Sequence, residues 1–81
     1  MTDQGDLLDL RGLKCPLPAL MARRQLARMA PGAKLTVLAD DPLAVVDIPH
    51  MCHGEGHRLV AAHPRDGHHA FEIERGAIER G

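Results

Sequence analysis

"LLDLRGLKCPLPALMARRQLARMAPGAKLTVLA", residues 7–39, changes its apolar period twice. At the start Leu8 and Leu10 alternate with Asp9 and Arg11, the pattern of a short strand over 7–11 with one buried face. From Pro16 to about Ala30 the period becomes helical. Ala19, Ala22, Leu26 and Met29 fall on one face, and Arg24, Gln25 and Arg28 on the opposite one. Pro31 and Gly32 stop this helix. "KLTVLA", residues 34–39, alternates again, with Leu35, Val37 and Ala39 on one side, and reads as a second strand. A helix between two strands closes by a right-handed crossover, so these strands are expected to be parallel.

Further along, "DDP" at 40–42 predicts a second helix start, with Asp40 or Asp41 as N-cap and Pro42 in the first turn. Ala44, Val45, Ile48, Met51 and Cys52 then share an inward face, while Asp47, His50 and His53 turn away. Pro49 is expected to break or bend this helix after Ile48. "HRLVAAH" (57–63) and "HAFEIER" (69–75) read as two strands joined by a "PRDG" connection at 64–67. The order is β-α-β-α-β-β. Its economical architecture is α/β: two helices on one face of a four-stranded mixed sheet. Thr36, Leu38, Val60 and Ala62 are assigned to the uncovered face.

Eighty-one residues suffice for one domain, 1–81, with a core of about 6–75 and a loosely held end at 76–81. The interior must be aliphatic, because the aromatic supply is Phe71 alone. Ten basic and eleven acidic residues give a net charge of −1, which does not favour broad attraction to nucleic acid or membrane. Two cysteines are too few for the usual disulfide-stapled secreted domain. The acidic opening lacks an export signal, and no apolar run is long enough for a membrane span. A cytoplasmic protein is expected.

Cys15 stands where the strand-to-helix loop meets the first helix. Zinc or thioredoxin-type chemistry would want a second nearby cysteine, which is missing. Unpaired N–H groups and the positive end of the helix dipole favour a thiolate, so a depressed pKa is expected. Pro16 and Pro18 lack N–H groups, stiffen the approach, and leave the amides of Leu17 and Ala19 as candidate donors toward sulfur. An exposed, activated thiol without a neighbouring base suits attack on a sulfane or disulfide sulfur, as in persulfide transfer. Leu17 and Met21 project among Arg24 and Arg28 beside Cys15. Together they read as a docking patch for an acidic-rimmed partner.

Cys52 shares the core face with Ile48 and Met51 and reads as packing. His53 and His57, with Cys52 adjacent, raise a zinc reading. Gly54 and Gly56 should end the helix between the histidines and no fourth ligand is evident, so no metal is expected. His63, His68 and His69 read as solvated residues flanking the hairpin.

The sequence resembles the TusA/SirA-like family of sulfur carriers. "LDLRGLKCPLP" is similar to the family's Leu-Asp-x-x-Gly-Leu-x-Cys-Pro-x-Pro signature, with "RRQL" at 23–26 in the place of its Arg-Lys-x-Leu. "ADDPLAVVDIPHMCHGEGH", residues 39–57, resembles its second block. The resemblance spans about 8–75 and implies an open two-layer α/β sandwich. It also implies a persulfide carried at Cys15 as the catalytic position, with Pro16 and Pro18 matching the motif prolines. The implied donor is a cysteine desulfurase, a rhodanese or another carrier. The implied acceptor is a downstream protein in tRNA thiolation, cofactor assembly or sulfur oxidation. No cofactor is implied, and a monomer forming transient complexes is expected. Met51 stands where the family often has an aromatic, and Glu72 and Glu74 alter the last strand, at an edge read as a contact surface. The competing class is a redox-sensing or regulatory module that uses Cys15 in mixed disulfides.

Overall fold

The six expected elements are present, in the expected order, in a computed structural model that describes residues 6–77. Strand β2 (Lys34–Ala39) sits inside the sheet and takes the parallel strand β1 (Asp6–Asp9) on one side. Its other side pairs antiparallel with β4 (His68–Glu74), which is bordered in turn by β3 (Arg58–Arg65). The sheet order is therefore β1-β2-β4-β3. Helices α1 (Leu17–Ala27) and α2 (Ala44–Glu55) form the second layer, an open two-layer α/β sandwich.

Period-two burial explains the sheet's inner face: Leu35, Val37 and Ala39 of β2 are buried, as are Phe71 and Ile73 of β4. Against them α1 lays Ala22 and Leu26, and α2 lays Ala44, Ile48 and Cys52. Burying each larger side chain contributes about 1.5–3 kcal/mol, so Phe71, Leu26, Leu35 and Ile48 carry much of the stability of this small core.

Several local readings are corrected. Helix α2 runs through Pro49 to Glu55 and ends at Gly56, which has φ 81°. Pro49 removes one hydrogen bond, to the carbonyl of Val45; that residue is exposed and not on the inward face expected for it, so water can replace the bond. Neither Asp40 nor Asp41 caps α2. Its N-cap is Leu43, without a side-chain bond. Pro64 lies within β3 opposite His69, tolerated because β3 is an edge strand, and the turn narrows to Asp66 and Gly67.

A bulge between Leu59 and Ala61 resets the parity of β3. Ala61 then pairs with Glu72 and His63 with Ala70 on the open face, while Ala62 comes opposite the core-facing Phe71. Ala62 thus leaves the face the sequence assigned it. Glu72 and Glu74 lie inside the sheet and not at its edge; Glu74 binds Arg58 at 3.0 Å, and Glu72 binds His63 at 2.8 Å. Gly76 is pinned where looseness was expected. Its N–H donates to His57 Nδ1 at 3.0 Å, and the expectation for 78–81 lies outside the described residues.

Candidate functional site

Cys15 is presented by a loop fixed at both ends. Behind it, Leu10 N–H donates to the Leu38 carbonyl at 2.8 Å, extending the parallel pairing one residue past β1. Gly12 then takes φ 92°, a left-handed conformation that side chains rarely adopt, and turns the chain off the sheet. Two carboxylates from the β2–α2 connection hold the loop from across. Asp40 Oδ1 accepts the Gly12 N–H at 2.9 Å, and Asp41 Oδ2 accepts the Cys15 N–H at 3.1 Å. The aspartates expected to cap a helix therefore clamp the cysteine loop. Asp9 adds a local brace: Arg11 bonds both its oxygens, at 2.9 and 2.7 Å, which draws its pKa down to about 2.

Ahead of the loop, α1 begins at Leu17 with Pro16 as N-cap, and Pro18 is buried beneath the first turn. Leu17 N–H donates to the Lys14 carbonyl at 2.8 Å, so it does not serve the sulfur as the sequence suggested. The sulfur instead faces α2. Cys15 Sγ–H donates to Asp47 Oδ2 at 2.9 Å.

That contact reverses the expected acidity. The helix dipole offers about half a positive charge spread over a turn, whereas Asp47 places a full negative charge at hydrogen-bond distance. The nearer, larger charge wins. The Cys15 thiol is pushed up from its ordinary value of 9.0, first by the hydrogen bond it donates to Asp47, then by desolvation and by the charges of Asp47 and Asp41. Cys15 nevertheless remains exposed. Cys52 is buried in the core, and burial alone raises its thiol to about 11.

Between the helices lies a groove of about 380 Å³ that contains Cys15. Leu20 and Arg23 of α1 line one wall, and Asp47, His50 and Met51 of α2 the other. Sequence reasoning missed this pairing of walls, although it had turned Asp47 and His50 away from the core. Two helices lying side by side on one sheet face leave their flanks toward each other, and those flanks become the groove.

The docking residues read from the sequence are divided. Leu17 and Met21 are exposed on α1, outside the groove lining. Arg24 lines a neighbouring cavity of about 350 Å³ with Arg23, Glu55, His57 and Arg75. Arg28, the C-cap of α1, is exposed and lines neither space. The zinc reading loses its geometry, since Cys52 faces the core, His53 is exposed and His57 lies beyond the end of α2.

Residues 7–75 match the family model described as sulfurtransferase TusA. The chain is also similar to the crystal structure of a SirA-like protein from Desulfitobacterium hafniense. The TM-score is 0.76 at 27% sequence identity, over 86% of this chain and 96% of that one. A match over most of the chain, the shared two-layer fold and an exposed cysteine at the tip of α1 lead to one assignment: the protein belongs to the TusA sulfurtransferase family.

Proposed function

We propose that the protein carries sulfane sulfur as a persulfide on Cys15. The observation that carries this reading is the exposed Cys15, which lines the interhelical groove, within a chain of the TusA family. Loading is a thiol exchange. The Cys15 sulfur attacks the terminal sulfur of a donor persulfide, a new S–S bond forms, the donor's S–S bond breaks, and the donor leaves as a thiol once the proton released by Cys15 reaches it. Delivery repeats the exchange: the sulfur of an acceptor thiol attacks the outer sulfur of Cys15–S–SH, the Cys15 S–S bond breaks, and the proton given up by the acceptor returns to the Cys15 sulfur. No net oxidation occurs in either step, and no cofactor is needed.

A cysteine desulfurase, a rhodanese or another sulfur carrier is the proposed donor, and a protein thiol of a downstream enzyme the acceptor. Two unpaired cysteines suit a reducing cytoplasmic compartment. Among the described residues no helix is long and apolar enough to cross a membrane.

The test is mass spectrometry after incubation with each of the three donor types in turn, beginning with a desulfurase and cysteine. A gain of about 32 Da on Cys15, removed by a reductant, is expected, as is its loss in Cys15→Ser. Wild-type protein that never gains this mass from any of the three donor types overturns the proposal.

A further inference from the structure

The exposed thiol of Cys15 lies against a carboxylate from another element, an unusual arrangement for a nucleophile. Asp47 sits in the first turn of α2, half-buried, 32 positions along the chain, with Oδ2 2.9 Å from Sγ. Helix packing holds the pair together, because Ile48, next to Asp47, is fully buried in the core. The backbone N–H of Cys15 is tied separately, to Asp41 Oδ2 at 3.1 Å. Cys15 is thus held through its backbone as well as its side chain, and its S–H has a defined acceptor.

We infer that Asp47 is the proton holder of Cys15: it keeps the resting thiol protonated and takes its proton when sulfur is loaded. This rests on the persulfide reading for the loading half, while the resting half stands alone. Without a donor the carboxylate favours S–H over the thiolate, so Cys15 reacts slowly with stray oxidants and electrophiles. When a donor persulfide occupies the groove, the Sγ–H proton passes to Asp47 Oδ2 as Sγ attacks the outer sulfur. The donor's S–S bond breaks, and the departing donor thiolate collects the proton from Asp47. The carboxylate ends as it began, and delivery runs the same path in reverse.

Other charges face this pair. Asp41 lies on the β2–α2 connection and adds negative potential, His50 and Glu55 share the α2 wall, and Arg23 faces them from α1, 3.6 Å from Glu55. None of these is bonded to the sulfur in place of Asp47, whose hydrogen bond is the first cause of the raised thiol pKa. The arrangement therefore gives one substitution opposite effects on two reactions, a signature that mere loosening of the fold does not produce.

Asp47→Asn tests it. Alkylation of Cys15 by iodoacetamide is followed from pH 6 to 10 for wild type and variant, alongside the rate of sulfur loading from a desulfurase. The wild-type midpoint is expected above 9.0. In the variant the midpoint falls, alkylation at pH 7 speeds up by about threefold to tenfold, water screening holding it to that range, and loading slows by roughly tenfold or more. Asp47→Glu is expected to restore part of the loading rate.

A wild-type midpoint at or below the ordinary value overturns the inference without any variant. So does an Asn variant whose two rates fall together or whose alkylation profile is unmoved. A wild-type protein that shows the alkylation profile but takes up no sulfur overturns the loading half and the persulfide reading, and leaves the resting proton with Asp47.

Discussion

The sulfur of Cys15 and the carboxylate of Asp47 meet at 2.9 Å in the lining of the interhelical groove, one from the tip of α1 and the other from the first turn of α2. The contact ties the chemistry of a loop to the seating of a helix. It also separates the two cysteines, since one thiol is exposed and hydrogen-bonded and the other is in the core.

From that separation, folded protein treated with a small alkylating reagent at pH 8 is expected to take up one label, at Cys15. Cys52 is buried and its thiol is raised to about 11, so it labels only as fast as the chain unfolds. Peptide mapping with and without denaturant checks this. Comparable labelling of both cysteines in the native state would contradict the packing of α2.

Removal of the Asp41 carboxylate should release the cysteine loop. Asp41→Ala deletes the acceptor of the Cys15 N–H, a charged hydrogen bond whose loss costs about 1.5–3 kcal/mol, read from denaturant midpoints. Asp40→Ala removes the more exposed bond to Gly12 and should cost less. Equal, negligible effects would show that the loop holds itself.

Stability should fall on the acid side of neutrality through His57. Its folded pKa lies below the ordinary 6.5 because of burial and the charge of Arg75, so the folded protein prefers the neutral ring. The unfolded chain binds the extra proton first. The contribution is therefore complete above pH 6.5 and is lost as pH drops below it. His57→Gln, whose amide oxygen can still accept the Gly76 N–H, should flatten the dependence between pH 7.5 and 5.5 in thermal melts. An unchanged slope would place the acid sensitivity elsewhere.

Gly76→Ala is expected to destabilise the protein by about 1–3 kcal/mol through overpacking. A methyl group there would run into the carbonyl of Gly56, which is backbone and cannot swing aside. Hydrogen exchange at Gly76 should also accelerate, since its bond to His57 depends on the same close approach. A variant with wild-type melting would mean the chain after β4 sits farther from Gly56.

Much of this architecture was legible from periodicity alone. Leu35, Val37 and Ala39 declare the inner face of β2, and Ala22 and Leu26 that of α1, because local alternation and burial coincide there. What escaped depends on partners distant in sequence. An aspartate before a proline looks the same whether it caps its own helix or, like Asp40 and Asp41, accepts amides 28 and 26 positions away. The bulge after Leu59 is invisible until β4 supplies a register. The sign of the Cys15 shift failed for the same reason, because a helix tip is a local feature and Asp47 reaches the sulfur only through the packing of α2.

The two loops that leave the same end of the sheet, one after β1 and one after β2, are stitched by the carboxylates of Asp40 and Asp41. A single inserted or deleted residue in either loop would slide every amide of the first past the oxygens of the second. Keeping the Cys15 sulfur in place therefore requires both loop lengths, whereas the Asp66–Gly67 hairpin tip is free of that stitching.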